Sequence, residues 1–514
     1  MREMAALSLL LLIGVSNGAG DSIPDEPIRI GHVPQFVFDR HIVDNHWALK
    51  YKRQAVRRVV HPTIKHPGNP IIGEDQPSYV AVLRDEETGL FRMYYQANFL
   101  IGAGILPDEN QETLPSATAK TKGRKYRTHV AYAESKDGTN WTRPDLNLFP
   151  WHRQKPNNIV LGRVDRPDME TCAPAILELP KRDQDGFRYW LMYRAKGRKG
   201  KDVNGIRAAA SKDGIHFEPQ DDYLLYHLHS DHPNTLVHDA ARNEYVLYCR
   251  AKDIYRLWGD NMLDTGASRR VARIANQDFL SGWGESGGPQ TILIPDERDN
   301  ETHYNFFYGM PVRIHAGVYF GFLEPFRMND FIHTELTVSR DGVNWIRFPQ
   351  RAKFIEYGPD GSWDDEMIFG SPSWVEVGDE WWFYYSGWDG AHGTADRTGG
   401  IGLAKLRKEG FVSLRGPAGG GVVCTRRLIW PGGELRVNAD ASQGELKVRV
   451  SDAKRKPIPG FDYQDCTEFT GDAVRHTVRW GGGKLSDLAG REIRLEFQLT
   501  NADLYTFVCA GSDG

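Results

Sequence analysis

The sequence has little cysteine, no excess of basic charge, no long apolar run and no sustained helical periodicity, and each shortage removes a class of protein. Its 514 residues include five cysteines, Cys172, Cys249, Cys424, Cys466 and Cys509. They are too few and too scattered for a disulfide framework, and no C-x-x-C spacing offers a zinc site. Cys249 ends the run Tyr245-Val246-Leu247-Tyr248-Cys249 and reads as a small buried hydrophobe; one bridge among the last three cysteines is left open. Lys and Arg total 64 against 68 Asp and Glu, a formal net charge of −4. That balance supplies no basic surface for nucleic acid or anionic lipid. No segment approaches the roughly 20 apolar residues of a membrane-spanning helix. Without long 3.6-residue periodicity, the pattern that remains is all-β.

The first twenty residues read as a secretory signal. Arg2 supplies a basic start, weakened by Glu3; Ala5 to Val15 are apolar; Ser16-Asn17-Gly18-Ala19 offers small residues for cleavage. The expectation is a secreted or periplasmic protein without a membrane span, an uncleaved N-terminal anchor being the alternative. Aromatic residues make up 11% of the chain, with 14 Trp and 21 Tyr. That enrichment suits β-structure and also suits sugars, whose apolar faces stack on rings. Core packing accounts for most of them.

A repeat organises the chain. Ser135-Lys136-Asp137-Gly138-Thr139-Asn140-Trp141 recurs as Ser211-Lys212-Asp213-Gly214-Ile215-His216-Phe217 and as Ser339-Arg340-Asp341-Gly342-Val343-Asn344-Trp345. Each copy follows an alternating strand. The spacing predicts a tight turn in which Asp caps backbone N–H groups, Gly takes a positive φ and the aromatic packs back on the hairpin. Degenerate copies at Asn276-Gln277-Asp278-Phe279 and Arg407-Lys408-Glu409-Gly410-Phe411 bring the count to five. Before each turn an apolar strand leads through a hairpin into an aromatic strand, as in Ser78 to Leu83 followed by Leu90 to Tyr95. Strand, hairpin, strand, strand, turn, strand is one four-stranded blade, and five copies close a ring. The predicted architecture is a five-bladed β-propeller over residues 61–415, after a signal segment at 1–20 and a lead-in at 21–60. A small C-terminal β-sandwich follows at 416–514, expected to act as a structural cap more than as a sugar binder.

Polar residues just before the innermost strand of each blade face one axial funnel. Those positions hold Glu74 and Asp75 in blade one, Asp168 and Glu170 in blade two, and Asp231 in blade three. Blade four offers His303 and Tyr304, and blade five Asp364, Asp365 and Glu366. Converging carboxylates suit glycosyl transfer, in which one carboxyl protonates the leaving oxygen while an ionised one attacks or activates water. A calcium site is the rival reading, without spacing to support it, and no cofactor is expected. Arg194 and Arg250 occupy matched contexts, Tyr-Arg-Ala-Lys and Cys-Arg-Ala-Lys, fit to bind sugar hydroxyls or an acidic group, or else to bridge blades. Trp388 and His392 lie in Gly-Trp-Asp-Gly-Ala-His-Gly, a candidate stacking loop.

The hairpins, the five-unit count and the acidic positions resemble the five-bladed propeller glycoside hydrolases of families 32, 43, 68, 117 and 130. The tail, with Pro457-Ile458-Pro459-Gly460-Phe461 and Leu504-Tyr505-Thr506-Phe507, looks like the terminal sandwich of a bacterial branch of these proteins. The resemblance implies three carboxylates. Asp75 fits the base or nucleophile, and Asp168 or Glu170 the second, with Arg166-Pro167-Asp168 departing from the Arg-Asp-Pro order of some members. Asp231 and Glu366 compete for the acid. The implied activity is hydrolysis of a glycosidic bond in an oligo- or polysaccharide by a monomeric enzyme. A non-catalytic glycan-binding propeller and a glycoside phosphorylase are the alternatives.

Overall fold

The computed structural model describes residues 26–45, 56–73, 77–100, 126–150, 156–162, 170–179, 186–196, 205–226, 230, 234–250, 269–278, 283, 289–327, 330–394 and 397–511. The described residues form two compact units, one made of those between 58 and 413 and one that joins those before 58 to those after 413.

The larger unit is a five-bladed propeller of four-stranded antiparallel blades. Blade one runs Ser78–Arg84, Phe91–Leu100, Tyr126–Ser135 and Ile159–Leu161. Blade two runs Glu170–Glu178, Tyr189–Lys196, Gly205–Ser211 and Glu218–Tyr226. Blade three runs Thr235–Asp239, Glu244–Arg250, Val271–Asn276 and Gln290–Leu293. Blade four runs Val312–His315, Val318–Leu323, Glu335–Ser339 and Trp345–Arg347. Blade five begins with Met367–Phe369 and Trp374–Val377, which pair successively along Glu380–Trp388, and continues with Gly399–Arg407. Its outermost strand is Ile64–Lys65, from ahead of blade one, paired as Lys65 with Ala404 and Ile64 with Lys405. The start of the unit therefore completes its last blade, which closes the ring and removes a free edge.

The repeated turn works as its residues dictate. In blade one, Asp137 Oδ1 accepts the N–H groups of Thr139 and Asn140 at 2.8 Å each. Ser135 Oγ accepts from Gly138 at 2.9 Å, and Gly138 sits at φ +75°. The turn glycine also exposes its carbonyl to the preceding blade. Tyr384 of blade five donates to Gly138 O at 2.8 Å, Tyr94 of blade one to Gly214 O at 2.7 Å, and Tyr248 of blade three to Gly342 O at 3.0 Å. By strand register the equivalent positions of blades two and four are Met192 and Phe322, opposite Ala208 and Leu336. The blades that follow these two carry the degenerate turns. Tyrosine thus stands where the next blade presents the glycine turn, and an apolar side chain stands where it does not.

The smaller unit is a sandwich of two sheets. One contains Ile28–Arg29, Leu428–Ile429, Glu492–Thr500, Gly421–Cys424 and Glu445–Ser451; the other contains Gln35–Phe36, Asp503–Ala510, Glu434–Asp440 and Asp472–Thr477. Trp430, Val448, Leu495, Phe497 and Phe507 fill the space between. Residues 21–60 were expected as a separate lead-in. Instead Ile28 pairs with Leu428, and Gln35 with Phe507. The signal segment lies outside the described residues. All five cysteines are buried and none is in a disulfide, so Cys424, Cys466 and Cys509 form no bridge; burial pushes the Cys249 thiol up to about 12.

A Cβ at Gly342 would approach the Tyr248 hydroxyl to 2.6 Å, and the residue is held at φ +73°. Gly342→Ala should therefore destabilise the propeller by roughly 2–3 kcal/mol, more than the ~1 kcal/mol expected for Tyr248→Phe. Urea unfolding of both variants measures the difference; equal stability of Gly342→Ala and wild type would show that the junction does not constrain the turn.

Candidate functional site

At the funnel the inner strands of blades one and two carry the same backbone irregularity. Pairing slips between Ser78 and Val80 in blade one and between Met192 and Arg194 in blade two. Tyr79 and Ala173, next to these slips, take φ +47 and +51°, a strained region for residues with a Cβ. The bulges redirect side chains at the mouth of the funnel. There a cavity of about 250 Å³ is lined by Ser78, Tyr79, Gln96, Asn98 and Thr128 of blade one, and by Glu170, Cys172 and Arg194 of blade two. Tyr308, which precedes blade four, and Phe369, Trp388, His392 and Arg397 of blade five complete the described lining.

Two faces of this cavity differ in character. On the blade-one and blade-two side the groups are polar and buried: Glu170 is 6% and Arg194 7% exposed. The Thr128 N–H donates to Glu170 Oε1 at 3.3 Å, and Gln96 Oε1 accepts from Ala173 N at 3.2 Å, tying the two blades at the rim. Much of the remaining lining is aromatic. Tyr79 and Phe369 meet edge to face at 5.4 Å, Tyr308 lies 5.2 Å from Phe369, and the Tyr79 and Tyr308 hydroxyls are 3.1 Å apart. The His392 ring packs on Tyr308 at 5.4 Å and Phe326 at 4.8 Å. Asp389 fixes the base of the His392 loop by accepting the Thr398 N–H at 2.6 Å and hydroxyl at 2.5 Å. An amphipathic slot of this kind can stack one face of a sugar ring while hydrogen-bonding its hydroxyls, with one buried carboxyl in reach.

Of the residues selected from sequence, Glu170, Arg194, Trp388 and His392 meet on this cavity. Glu74, Asp75, Asp168 and Asp231 lie outside the described residues. Arg250 supports the wall from behind: it is buried, donates to Tyr308 O at 2.9 Å and lies 4.8 Å from the Tyr308 ring. His303 and Tyr304 are corrected. His303 is an exposed turn residue after the short helix Glu297–Glu301, and Tyr304 packs against His333 at 4.8 Å. The insertion of that helix and of Phe306–Phe307 moves the funnel position of blade four from Tyr304 to Tyr308.

Blade five is corrected likewise. Asp364 is spent on Lys65 at 2.5 Å and on the Tyr385 hydroxyl at 2.7 Å. Asp365 Oδ2 accepts Gly361 N at 2.6 Å within its own turn. Neither is among the described lining residues, and nor is Glu366, which borders the His392 loop by accepting the Ala391 N–H. Tyr79, Tyr308 and Arg397 were not singled out from sequence. Local pattern marks none of them, because a bulge, an inserted helix and a loop return bring them to the funnel.

Burial, and then the carboxylates of Asp365, Asp330 and Asp389, raise the Glu366 pKa, with the Ala391 N–H opposing. The folded state therefore holds this proton more tightly than the unfolded chain. Stability falls as pH rises from the ordinary glutamate range through the raised value. Glu366→Gln should melt roughly 1–2 °C above wild type at pH 7 and level with it near pH 4, as thermal melts across that range will show.

No family model matches the chain. A curated relative, the A type blood N-acetyl-α-D-galactosamine deacetylase of Flavonifractor plautii, is 27% identical over 139 residues, 26% of this chain; the chain spans only 18% of that relative's length. Among solved structures, an N-acetylgalactosamine deacetylase from F. plautii with blood group B trisaccharide aligns with TM-score 0.43 and 17% identity, covering 69% of this chain and 96% of that one. A β-1,2-mannobiose phosphorylase from Listeria innocua gives 0.45 and 12%, covering 68% and 97%. A β-xylosidase/α-arabinofuranosidase from a compost microbial metagenome gives 0.42 and 13%, covering 67% and 95%.

Proposed function

We propose that the propeller binds a glycan in the funnel cavity and hydrolyses a glycosidic bond there. The observation that carries this reading is a buried carboxyl, Glu170, facing an aromatic wall of Tyr79, Tyr308, Phe369 and Trp388 in one cavity of sugar-ring size. The rings present apolar surface to a pyranose, while Ser78, Gln96, Asn98 and Thr128 offer hydrogen bonds to its hydroxyls. Glycoside hydrolysis needs two carboxyl groups, one to protonate the leaving oxygen and one to activate water or attack the anomeric carbon. Glu170 serves as one. Its partner comes from Asp75 or Asp168, which stand three residues before Ser78 and two before Glu170 in sequence. The partial likeness to a glycan deacetylase agrees with a glycan as the ligand. We infer from the first twenty residues that the protein is exported to meet it.

Glu170→Gln and Asp75→Asn should each lower release of reducing sugar from the responsive member of a glycan panel by about 10²–10⁴-fold, while the melting temperature changes little. Wild-type rates in both variants reject this hydrolytic assignment. Tight binding by wild type without turnover on any glycan indicates a binding module, and turnover only with inorganic phosphate indicates a phosphorylase.

A further inference from the structure

Arg397 is a half-buried charge on the cavity that the protein supports without neutralising. Its Nη1 donates to the carbonyls of Ala391 at 3.2 Å and His392 at 3.0 Å, and its guanidinium lies 5.0 Å from the Trp388 ring. No Asp or Glu among the described residues forms an ion pair with it. Asp389 attracts it from a distance, but both Asp389 oxygens are taken by Thr398. Burial weakens its hold on the proton, yet a guanidinium remains charged at any physiological pH.

The neighbouring wall repeats the pattern. The Arg269 guanidinium lies 4.9 Å from the Tyr308 ring and 5.0 Å from Phe326, and its buried Nη1 has no hydrogen-bond partner among the described residues. Arg194 lines the cavity from blade two, so the described lining carries two guanidinium groups against the single carboxyl of Glu170. Buried cations are ordinarily paired, because desolvating an unmatched charge is costly. Arg397 and Arg269 are instead oriented by carbonyls and rings, and among the described residues no carboxylate forms an ion pair with either. A planar fork left open in this way matches an oxyanion arriving with the ligand.

We propose that the glycan recognised by this cavity carries an acidic substituent, a uronate carboxylate or a sulfate ester, and that Arg397 receives it beside Trp388. This rests on the reading of the cavity as a glycan site. The shared chemistry is an oxyanion, and the sugar rather than free phosphate is taken as its source.

The test is calorimetric titration of the full chain with matched oligosaccharides, oligogalacturonates against galacto-oligosaccharides and sulfated against unsulfated forms, with inorganic phosphate titrated alone. The acidic member of a pair should bind at least about tenfold tighter. Arg397→Met, which keeps the packing on Trp388, should collapse that preference to within about twofold; Arg397→Lys, which keeps the charge, should retain part of it. Equal affinity for acidic and neutral members, or a preference that survives in Arg397→Met, overturns the inference and leaves the glycan site standing. Arg397-dependent binding of phosphate alone, without preference among sugars, overturns the sugar as the source of the anion. Absence of binding by every member overturns both readings.

Discussion

The tyrosine hydroxyl that reaches across a blade junction to a glycine carbonyl is the contact on which the ring depends. Blades meet through side chains rather than through a shared hydrogen-bond ladder, so twist and spacing between them must be fixed by a few directional contacts. A carbonyl of a capped turn is suited to this. The Asp side chain holds the turn N–H groups, glycine takes the positive φ, and the carbonyl is left pointing at the neighbour. A Cβ at Gly138, Gly214 or Gly342 would come within 3 Å of the incoming tyrosine hydroxyl. Turn and tyrosine are therefore one device divided between two blades.

Where the device is absent, both halves are absent together. Met192 and Phe322 replace tyrosine ahead of the two turns that lack the Ser-x-Asp-Gly sequence, because a hydroxyl there would be buried without a partner. A second link runs the other way. Tyr189 of blade two donates to Asp85 in the first hairpin of blade one at 2.8 Å, and Tyr319 of blade four donates to Asp239 of blade three. Burial alone would raise the Asp85 pKa, but the Thr88 N–H, the Tyr189 hydroxyl and Arg92 hold it down to about 2. Two of the five junctions thus exchange tyrosines, and the inner strands they position set the shape of the funnel.

The funnel inherits its asymmetry from these blades. Blades one and two carry the bulges at Tyr79 and Ala173 and contribute the buried polar groups. Blade five contributes the Trp388-to-Arg397 loop, and Tyr308 ahead of blade four closes the aromatic side. Strain at a bulge is tolerated where the surrounding sheet over-determines it, and here it turns a ladder residue into a cavity residue. The result is a slot that joins the carboxyl of Glu170 and the guanidinium of Arg194, both from blade two, to aromatic rings and to Arg397 beside Trp388.

The sequence by itself determined the five-fold repeat, the turn chemistry and the all-β class, since each rests on residues close together in the chain. It also brought Glu170, Arg194, Trp388 and His392 into view, because strand periodicity places them at blade ends. It could not show that Ile64–Lys65 closes blade five, or that Ile28–Arg29 and Gln35–Phe36 belong to the sandwich, since two-residue strands have no periodicity and their partners lie hundreds of residues away. Only the tertiary structure decided that Tyr308 rather than Tyr304 faces the funnel, that Asp364 is bound to Lys65 and Tyr385, and that Arg397 stands on the cavity without a carboxylate partner among the described residues. The physical reason is common to all three. A side chain's type is local, but whether its charge or hydroxyl is already satisfied depends on partners that the closed ring brings to it.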